Sequence, residues 1–328
     1  SPDSMAIILL GDFFMNQDNK KVVIVGCGMV GMSCAYALLN QNICDELVLI
    51  DVNRQRVFGE AADLCHGVPF APGNMKIYAG EYSDCENADL VIICAGAPQA
   101  DGESRRDLLQ KNYKVLESIV NPIVSAGFTG VFLVASNPVD VMTQLVYELS
   151  GFPAGRVLGS GTSLDSARLR HMVSDYFKIN PRNVHAYVIG EHGDSGFVPW
   201  SNSYISVNSF AELCKERPEI PDDMEKISLA VRDSAYDIIK AKGATYYGIG
   251  MVLAQLSKSI LNDQNSVFTV STYLKGEYGT KGIYIGVPSV VNSNGVSRVL
   301  QMKLNREEKE KFRRSVAVIR EMLKEVEL

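Results

Sequence analysis

Short runs of β-branched and other apolar residues alternate with helical patterns through the first half of the chain, and this alternation restricts the possible folds more than any other feature. The runs have no polar face, which is typical of strands that helices cover on both sides. Strands that alternate with helices are joined by right-handed crossovers into a parallel sheet, so this half is predicted to be α/β with a doubly wound sheet. The predicted strands are residues 22–25, 47–50, 90–94 and 131–134, and the helical patterns between them include residues 29–40 and 107–125.

The second half of the chain mixes helices with short strand-like pieces, which predicts a mixed α+β domain. The predicted elements are a helix at 165–177, a strand at 184–189 that enters a polar loop, strand-like pieces at 199–207 and 267–287, and an amphipathic helix at 306–326. The apolar stripe of that last helix is made by Phe312, Val316, Ile319, Leu323 and Val326.

These patterns divide the chain into a dinucleotide-binding domain at residues 20–160 and a substrate domain at 161–328. Residues 1–19 are assigned to an N-terminal arm or a cloning remnant. The length of 328 residues fits two domains of about 150 residues each. No Ser/Pro-rich linker separates the halves, so we expect them to share a large interface with a site between them.

Composition excludes several classes of partner. The net charge is −6 and Lys and Arg form no long run, which argues against nucleic acid or an anionic membrane as the main partner. The apolar stretch at residues 5–15 is too short to span a bilayer and lacks the basic start of a signal peptide. The seven cysteines show no CxxC spacing and the four histidines no ligand spacing with them, which predicts a reduced, cytoplasmic protein without a metal site.

A glycine-rich motif, GCGMVG, directly follows the first predicted strand and opens a helix. Its glycines permit a tight turn, a close approach of backbone to a pyrophosphate, and close packing of helix on strand, while the helix N-terminus attracts the anion. The predicted cofactor-binding residues of this motif are Gly26, Gly28, Met29, Val30 and Gly31. Alone the pattern is weak, because a plain glycine turn would also explain it.

Two further features favour a dinucleotide. Asp51 follows the second predicted strand, twenty residues past Gly31. A carboxylate there can accept hydrogen bonds from a ribose diol and would repel a 2′-phosphate, which favours NAD over NADP, although a turn or helix-capping Asp would also fit. Ala95 and Gly96 are small residues at the end of a strand, where backbone must pass close to a cofactor.

A histidine and an Asp–Arg pair are candidates for the chemistry. Asp165 falls inside the apolar stripe of the 165–177 helix and Arg168 lies on its edge, and a buried carboxylate is costly unless it is paired. His192 lies in a polar, glycine-flanked turn, GEHGDS, where an adjacent carboxylate would stabilise its charged form. The alternatives are a structural ion pair within the helix and a surface histidine.

The order and spacing of several motifs resemble those of the L-lactate/malate dehydrogenase family, from about residue 20 to the C-terminus. Within that family the chain is similar to the bacterial enzymes that make lactate, which implies reversible transfer of a hydride between NADH and pyruvate. The motifs are GCGMVG, Ile50-Asp51, GAPQADGESRRDL, SNPVD, LDSARLR and GEHGDS.

The resemblance also implies roles for individual residues. His192 would be the proton donor and acceptor, with Asp165 as its orienting partner, and Arg168 would grip the substrate carboxylate through a bidentate pair. Arg105 would polarise the ketone from a mobile loop at 98–106, which closes after NADH and then pyruvate have bound. Asn137 would contact both the substrate carbonyl and the nicotinamide.

Substrate choice depends on Gln99 in this comparison. Malate enzymes of the family carry an arginine there, which pairs with a second carboxylate, whereas a neutral Gln99 favours pyruvate. Thr245 would bound the far side of the pocket. The alternatives are that Gln99 is only a polar loop residue and that Thr245 is only a helix-start threonine. For the whole protein, the alternatives are a malate or other 2-hydroxy acid dehydrogenase and a noncatalytic NAD-binding protein.

Two other positions resemble an allosteric site. Arg170 and His185 match family positions that bind fructose bisphosphate across a subunit interface. The resemblance therefore implies a homotetramer, in which binding of the effector shifts the population between two arrangements of the subunits. A surface arginine and a strand histidine with unrelated partners are the alternative.

Overall fold

The computed structural model describes residues 19–97, 102 and 104–326, with Arg105 described through its backbone alone. The strands of this part of the chain are β1 (Lys21–Val25), β2 (Glu46–Ile50), β3 (Lys76–Ala79), β4 (Leu90–Ile93), β5 (Val131–Val134), β6 (Val157–Gly159), β7 (Val184–His185), β8 (Tyr204–Ile205), β9 (Asn208–Ser209), β10 (Ser266–Lys275), β11 (Lys281–Asn292) and β12 (Gly295–Val299). Its α-helices are α1 (Met29–Gln41), α2 (Arg54–Gly67), α3 (Arg105–Ser125), α4 (Val139–Ser150), α5 (Ser163–Phe177), α6 (Phe210–Glu216), α7 (Ile220–Lys242), α8 (Tyr247–Leu261) and α9 (Arg306–Lys324).

The first half is built on six parallel strands in the order β3-β2-β1-β4-β5-β6. β2, β4 and β5 are buried at every residue, because helices cover both faces of the sheet. Alternate residues of β1 enter opposite cores: Val23 packs with apolar residues of α3 and α4, and Val22 packs with those of α1 and α2. This order confirms the predicted doubly wound sheet.

The second half extends the same sheet with three antiparallel strands, β10, β11 and β12. β10 joins β6 at one residue pair, Ser271 opposite Gly159. Just after β6, Gly161 has φ +53°, and a Cβ there would overlap the backbone at Ser271. The two halves therefore share one continuous sheet as well as an interface.

α8 of the second half packs against α1 of the first half. The contact is close because Gly250 of α8 has no side chain, and a Cβ there would lie 2.7 Å from the Cβ of Ser33 on α1. The last helix, α9, buries Phe312, Val316 and Ile319 in the core that lies under β11, as its predicted stripe requires.

The strand predicted at 184–189 is wrong in its length, since β7 covers only Val184–His185. Beyond it the chain makes two single bridges, from Ile189 to Phe197 and from Gly190 to Gly286. It therefore contacts two different segments at single residues and does not run along either of them as a strand. Of the strand-like pieces predicted at 199–207, the structure has the two-residue β8, which follows a 3-10 turn at Trp200–Asn202. β3 and β6 were not predicted. β3 begins with an exposed lysine and is buried at only one of its four residues, and β6 has only three residues, so neither gives an apolar run of four.

All seven cysteines lie in the described part of the chain, and none of them forms a disulfide. Among the described residues, no group of three or more His, Cys, Asp and Glu side chains is arranged to hold a metal ion. No helix that the structure describes is both long and apolar enough to cross a membrane.

Candidate active site

The glycine motif forms the loop between β1 and α1. Gly26 has φ +99°, and a Cβ there would overlap the backbone of Ala95 at the end of β4. A Cβ on Gly31 would overlap the carbonyl oxygen of Gly26, so this glycine allows α1 to pack directly on the loop. Gly28 is different, because a Cβ there would meet nothing within 4 Å.

Asp51 is fixed at the end of β2, beside this loop. Its Oδ2 accepts a hydrogen bond from the backbone N–H of Cys27 at 2.8 Å, and its Oδ1 accepts one from the backbone N–H of Asn53 at 2.9 Å. Each oxygen keeps a second lone pair, so the carboxylate can still accept hydrogen bonds from two hydroxyls.

These residues fit NAD. The open space at Gly28 lets an anionic pyrophosphate approach the backbone at the start of α1, and Asp51 offers two acceptors to a ribose diol. The other predicted cofactor residues lie along the same edge of the sheet, since the carboxyl ends of parallel strands meet there. Met29 and Val30 open α1, Ala95 and Gly96 follow β4, and Asn137 follows β5.

His192, Asp165 and Arg168 form one hydrogen-bonded cluster. The Nδ1 of His192 lies 2.6 Å from Oδ2 of Asp165, and Nη1 of Arg168 donates to Oδ1 of the same carboxylate at 3.2 Å. α5 places Asp165 and Arg168 one turn apart, and the loop after β7 brings His192 across to them. The structure thus brings together the three residues that the sequence placed in two separate motifs.

The charges of this cluster support one another. Burial alone would raise the pKa of Asp165, but His192 and Arg168 outweigh burial and hold that pKa below its usual range. Burial opposes a charged imidazole, yet Asp165 raises the pKa of His192 above its usual value of 6.5. His192 is thus held in the protonated form to a higher pH than a free histidine.

A cavity of about 450 Å³ opens beside His192. Its wall includes Asn137, Arg168 and His192, and α7 closes the opposite side with Val231 and Tyr236. The cavity therefore lies between the two halves of the chain, as the sequence predicts, next to the edge of the sheet where the cofactor residues lie.

Several predicted substrate residues are not placed in this cavity. Gln99 lies outside the described residues, and Arg105 begins α3 but is described only by its backbone. Of the predicted loop at 98–106, the structure describes residues 102 and 104–106. Thr245 is half-buried in the link between α7 and α8, and it is not among the described residues that line the His192 cavity.

The predicted allosteric residues lie away from the cluster. Arg170 lines a second cavity of about 370 Å³ with Met251 and Phe268, and its Nε donates to the carbonyl oxygen of Pro181 at 3.2 Å. His185 lies exposed on β7.

Sequence reasoning missed Asp140. This carboxylate is 1% exposed and accepts a hydrogen bond from the backbone N–H of His192 at 2.9 Å and from the hydroxyl of Ser271 at 2.6 Å. The available signal was its setting, since an aspartate between Val139 and Val141 places a charge among buried apolar residues. Glu191, next to His192, is also buried and accepts hydrogen bonds from Ser195.

Comparison with known families accounts for almost the whole chain. A model of the lactate/malate dehydrogenase NAD binding domain matches residues 20–159. A model of the lactate/malate dehydrogenase alpha/beta C-terminal domain matches residues 162–328.

Individual proteins that are similar to this chain are lactate dehydrogenases. L-lactate dehydrogenase 2 of Bacillus anthracis is 50% identical over 310 residues, which cover 94% of this chain and 99% of the relative. A lactate dehydrogenase from a Medee basin deep-sea metagenome library is similar in structure, with a TM-score of 0.92 and 47% identity over 94% of this chain and 98% of the other. Minor L-lactate dehydrogenase from Enterococcus mundtii in its ligands-bound form has a TM-score of 0.92 and 43% identity, and the match covers 94% of this chain and 99% of that one.

The two family models, the identity to curated relatives and the shared doubly wound sheet lead to one assignment: the chain belongs to the lactate/malate dehydrogenase family and is an NAD-dependent oxidoreductase.

Proposed function

We propose that the protein interconverts pyruvate and L-lactate with NAD(H). The observation that carries this proposal is the His192–Asp165–Arg168 cluster, which sets an imidazole and a guanidinium side by side on the wall of one cavity. A 2-keto acid carries a carboxylate next to a carbonyl, so the two side chains match its two functional groups. The relatives that are named L-lactate dehydrogenases support pyruvate as the 2-keto acid.

Arg168 binds the substrate carboxylate in this proposal. Its side chain is 12% exposed and gives one N–H to Asp165, which fixes the guanidinium while other N–H groups remain for the substrate. A bidentate pair would hold the keto acid in a single orientation, with its carbonyl toward His192. Arg105, by resemblance, would stabilise negative charge on the carbonyl oxygen as it develops.

His192 moves the proton. Asp165 accepts the hydrogen bond from Nδ1, so Nε2 is the atom that faces substrate chemistry. In reduction the imidazolium donates its Nε2 proton to the carbonyl oxygen, and in oxidation the neutral ring takes the proton of the lactate hydroxyl. NADH supplies the hydride when it is bound. The residues that would bind NADH include Gly28, Asp51 and Asn137.

Gln99 would set the preference for pyruvate over oxaloacetate. It lies outside the described residues, so this part of the proposal depends on the residue type. A second substrate carboxylate beside a neutral amide would be left without a charge partner in a closed site, at a cost of about 3 to 5 kcal/mol. That cost corresponds to a discrimination of about 100-fold or more.

The test is NADH oxidation by the purified protein, with pyruvate and with oxaloacetate as separate substrates. We expect kcat/KM to be at least about 100-fold higher for pyruvate, and His192→Ala to lower turnover far more than NADH affinity. Preference for oxaloacetate would favour a malate enzyme, and no turnover with any 2-keto acid would favour a noncatalytic NAD-binding protein. Equal losses of turnover and NADH affinity in the variant would remove His192 from the proton step.

We also propose a cytoplasmic homotetramer that fructose bisphosphate activates. The half-buried Arg170 supplies a guanidinium, and the exposed His185 supplies a ring nitrogen that can hydrogen-bond to a phosphate. A ligand that binds one arrangement of subunits better shifts the population toward that arrangement. Saturating fructose bisphosphate should lower the pyruvate half-saturation, and Arg170→Gln should abolish that change. An effector that alters neither the half-saturation nor the assembly state would contradict the proposal.

A further inference from the structure

A cavity of about 360 Å³ lies among α9, the link that precedes this helix, and the turn between β10 and β11. Its polar wall includes the exposed side chains of Lys303, Lys309 and Arg313. The described residues that line it include no Asp or Glu, and none of the three cations lines the cavity beside His192. This is therefore a separate cavity with three positive charges on its described wall.

These three cations lack partners of opposite charge. No ion pair joins Lys303, Lys309 or Arg313 to a carboxylate in the part of the chain that the structure describes. Elsewhere on α9, Lys311 pairs with Glu307 at 2.7 Å. Lys309 and Arg313 are four residues apart on the helix, a spacing at which like charges repel each other. An anion bound between them would remove that repulsion.

The cationic surface continues along α9 into a second cavity of about 330 Å³. Arg313 lines both cavities, and the second adds Arg320 and Lys324. With 3.6 residues per turn, Lys309, Arg313 and Arg320 fall within an arc of about 40° on one face and span about 17 Å of the helix. Glu321 pairs with Lys324 at 2.6 Å, whereas Arg320 has no ion pair with a described carboxylate. The helical spacing explains why the sequence shows no run of Lys and Arg.

The apolar wall of the first cavity is held by several contacts. The ring of Tyr278 stacks on Phe312 with 4.8 Å between the ring centroids. Its hydroxyl donates to the carbonyl oxygen of Leu300 at 3.1 Å and accepts from the backbone N–H of Met302 at 3.0 Å. Tyr278 has φ +54°, a conformation that costs energy for a bulky residue and persists only where neighbouring contacts impose it. A wall fixed in this way lowers the cost of ordering on binding.

We propose that this cavity binds a small linear phosphate chain with three or more negative charges, of the kind found in inorganic tripolyphosphate and in nucleoside triphosphates. Lysine ammonium groups bind phosphate oxygens as point charges, and the guanidinium of Arg313 can bind them through two parallel hydrogen bonds. The second cavity, beyond Arg313, would take the remainder of a longer ligand. The site shares neither Arg170 nor His185 with the proposed fructose bisphosphate site.

The first measurement is titration calorimetry with tripolyphosphate in the absence of Mg²⁺, at about 20 mM and at about 150 mM salt. The full chain carries Arg170→Gln and is saturated with NADH, so that the proposed effector site and the cofactor site do not take up the probe. We expect one chain to bind per subunit, with an affinity that falls about 10-fold or more at the higher salt concentration, because exposed charges are screened. This titration requires no turnover, so its result is independent of the proposed function.

Arg313→Gln tests where the probe binds. It removes the guanidinium that both cavities share and should weaken tripolyphosphate binding by about 10-fold or more. The matched control is Arg314→Gln, which removes the same charge at the next position of α9, from an exposed residue that lines neither cavity. The control should change the Kd by less than about 2-fold. Both side chains are exposed, so neither substitution removes core packing.

Two further probes distinguish the sources of the phosphate chain. ATP that binds about 10-fold or more tighter than tripolyphosphate would support a nucleotide whose nucleoside extends into the second cavity, and ATP that binds less tightly than this would support an inorganic chain. Citrate carries three carboxylates but less charge and fewer acceptor oxygens, so it should bind at least about 10-fold more weakly than tripolyphosphate. An equal affinity for citrate would overturn the assignment to a phosphate chain.

The variants decide whether the site exists. Weakening that is confined to Arg313→Gln would support it. A Kd in Arg313→Gln within about 2-fold of that of the parent chain would overturn the proposal, as would equal weakening in Arg314→Gln, which would indicate a general effect of surface charge. The absence of binding at about 1 mM tripolyphosphate and low salt would also overturn it.

Discussion

At the scale of single residues, the hydrogen bond between His192 and Asp165 should set the pH range over which the rates of the proposed reaction change. In the proposed function, reduction needs the imidazolium and oxidation needs the neutral ring. Because Asp165 raises the pKa of His192 above 6.5, kcat/KM for pyruvate should be constant at low pH and fall only above that value. Lactate oxidation should rise through the same range. Rates of the two reactions with the same pH dependence would contradict this assignment.

Removing the charge of Asp165 should shift this profile. Asp165→Asn takes away the group that favours the imidazolium, so the midpoint for pyruvate should move to lower pH by about 1 to 2 units. Asp175→Asn is the matched control, since that aspartate lies on the same helix but pairs with Lys178 at its exposed end. The pair of profiles, measured at saturating NADH, distinguishes a local charge effect from a general change in α5. A midpoint that moves equally in the control would assign the shift to the helix.

At the scale of elements, two glycines of one motif have different tasks. A Cβ on Gly31 would overlap the backbone at Gly26, so Gly31→Ala must push α1 away from β1 and should lower the free energy of unfolding by about 1 to 3 kcal/mol. Gly28→Ala has open space and should cost less than about 1 kcal/mol. Its methyl group would instead occupy the approach to a pyrophosphate and weaken NADH binding by about 10-fold or more. Urea unfolding and NADH titration of both variants measure the two effects.

The same elements show what could be predicted from the sequence. β1, β2, β4 and β5 were predictable because each contains four successive apolar residues that are buried on both faces of the sheet. The strand predicted at 184–189 is longer than the observed one. Its period-2 pattern continues through residues that make only single bridges, at Ile189 and Gly190.

Asp140 shows why part of the site could not be predicted. Its two donors lie 52 and 131 residues away along the chain, and no local pattern specifies which distant groups will satisfy a buried carboxylate. His192 and Asp165 were found because each lies in a motif of its own, although only the fold brings their side chains together.

At the scale of the whole molecule, α1 and α8 present one exposed apolar face. Met29, Tyr36, Tyr247 and Met251 are each more than half exposed and line a single cavity on it. Contiguous apolar surface of this kind marks an association site on a folded chain. It favours α1 and α8 as one contact surface of the proposed homotetramer.

Met251→Glu should disrupt that assembly. A carboxylate on the apolar face would lose its hydration in an interface, so the protein should sediment as a species smaller than four chains of 36.0 kDa each. Leu229→Glu adds the same charge at an exposed apolar position on α7 and should leave the mass unchanged. Equal dissociation of both variants would mean that added charge, and not the α1–α8 face, controls assembly.

The same substitution tests whether assembly and activation are one property. Met251 also lines the cavity that contains Arg170, so an interface on this face would lie against the proposed phosphate site. An effector that acts by favouring one arrangement of subunits has nothing to act on in a dissociated chain. Met251→Glu should therefore lose the response of the pyruvate half-saturation to fructose bisphosphate, while Leu229→Glu keeps it. A dissociated variant that still responds would place the switch within one subunit, and the shift in subunit arrangement would have to be given up.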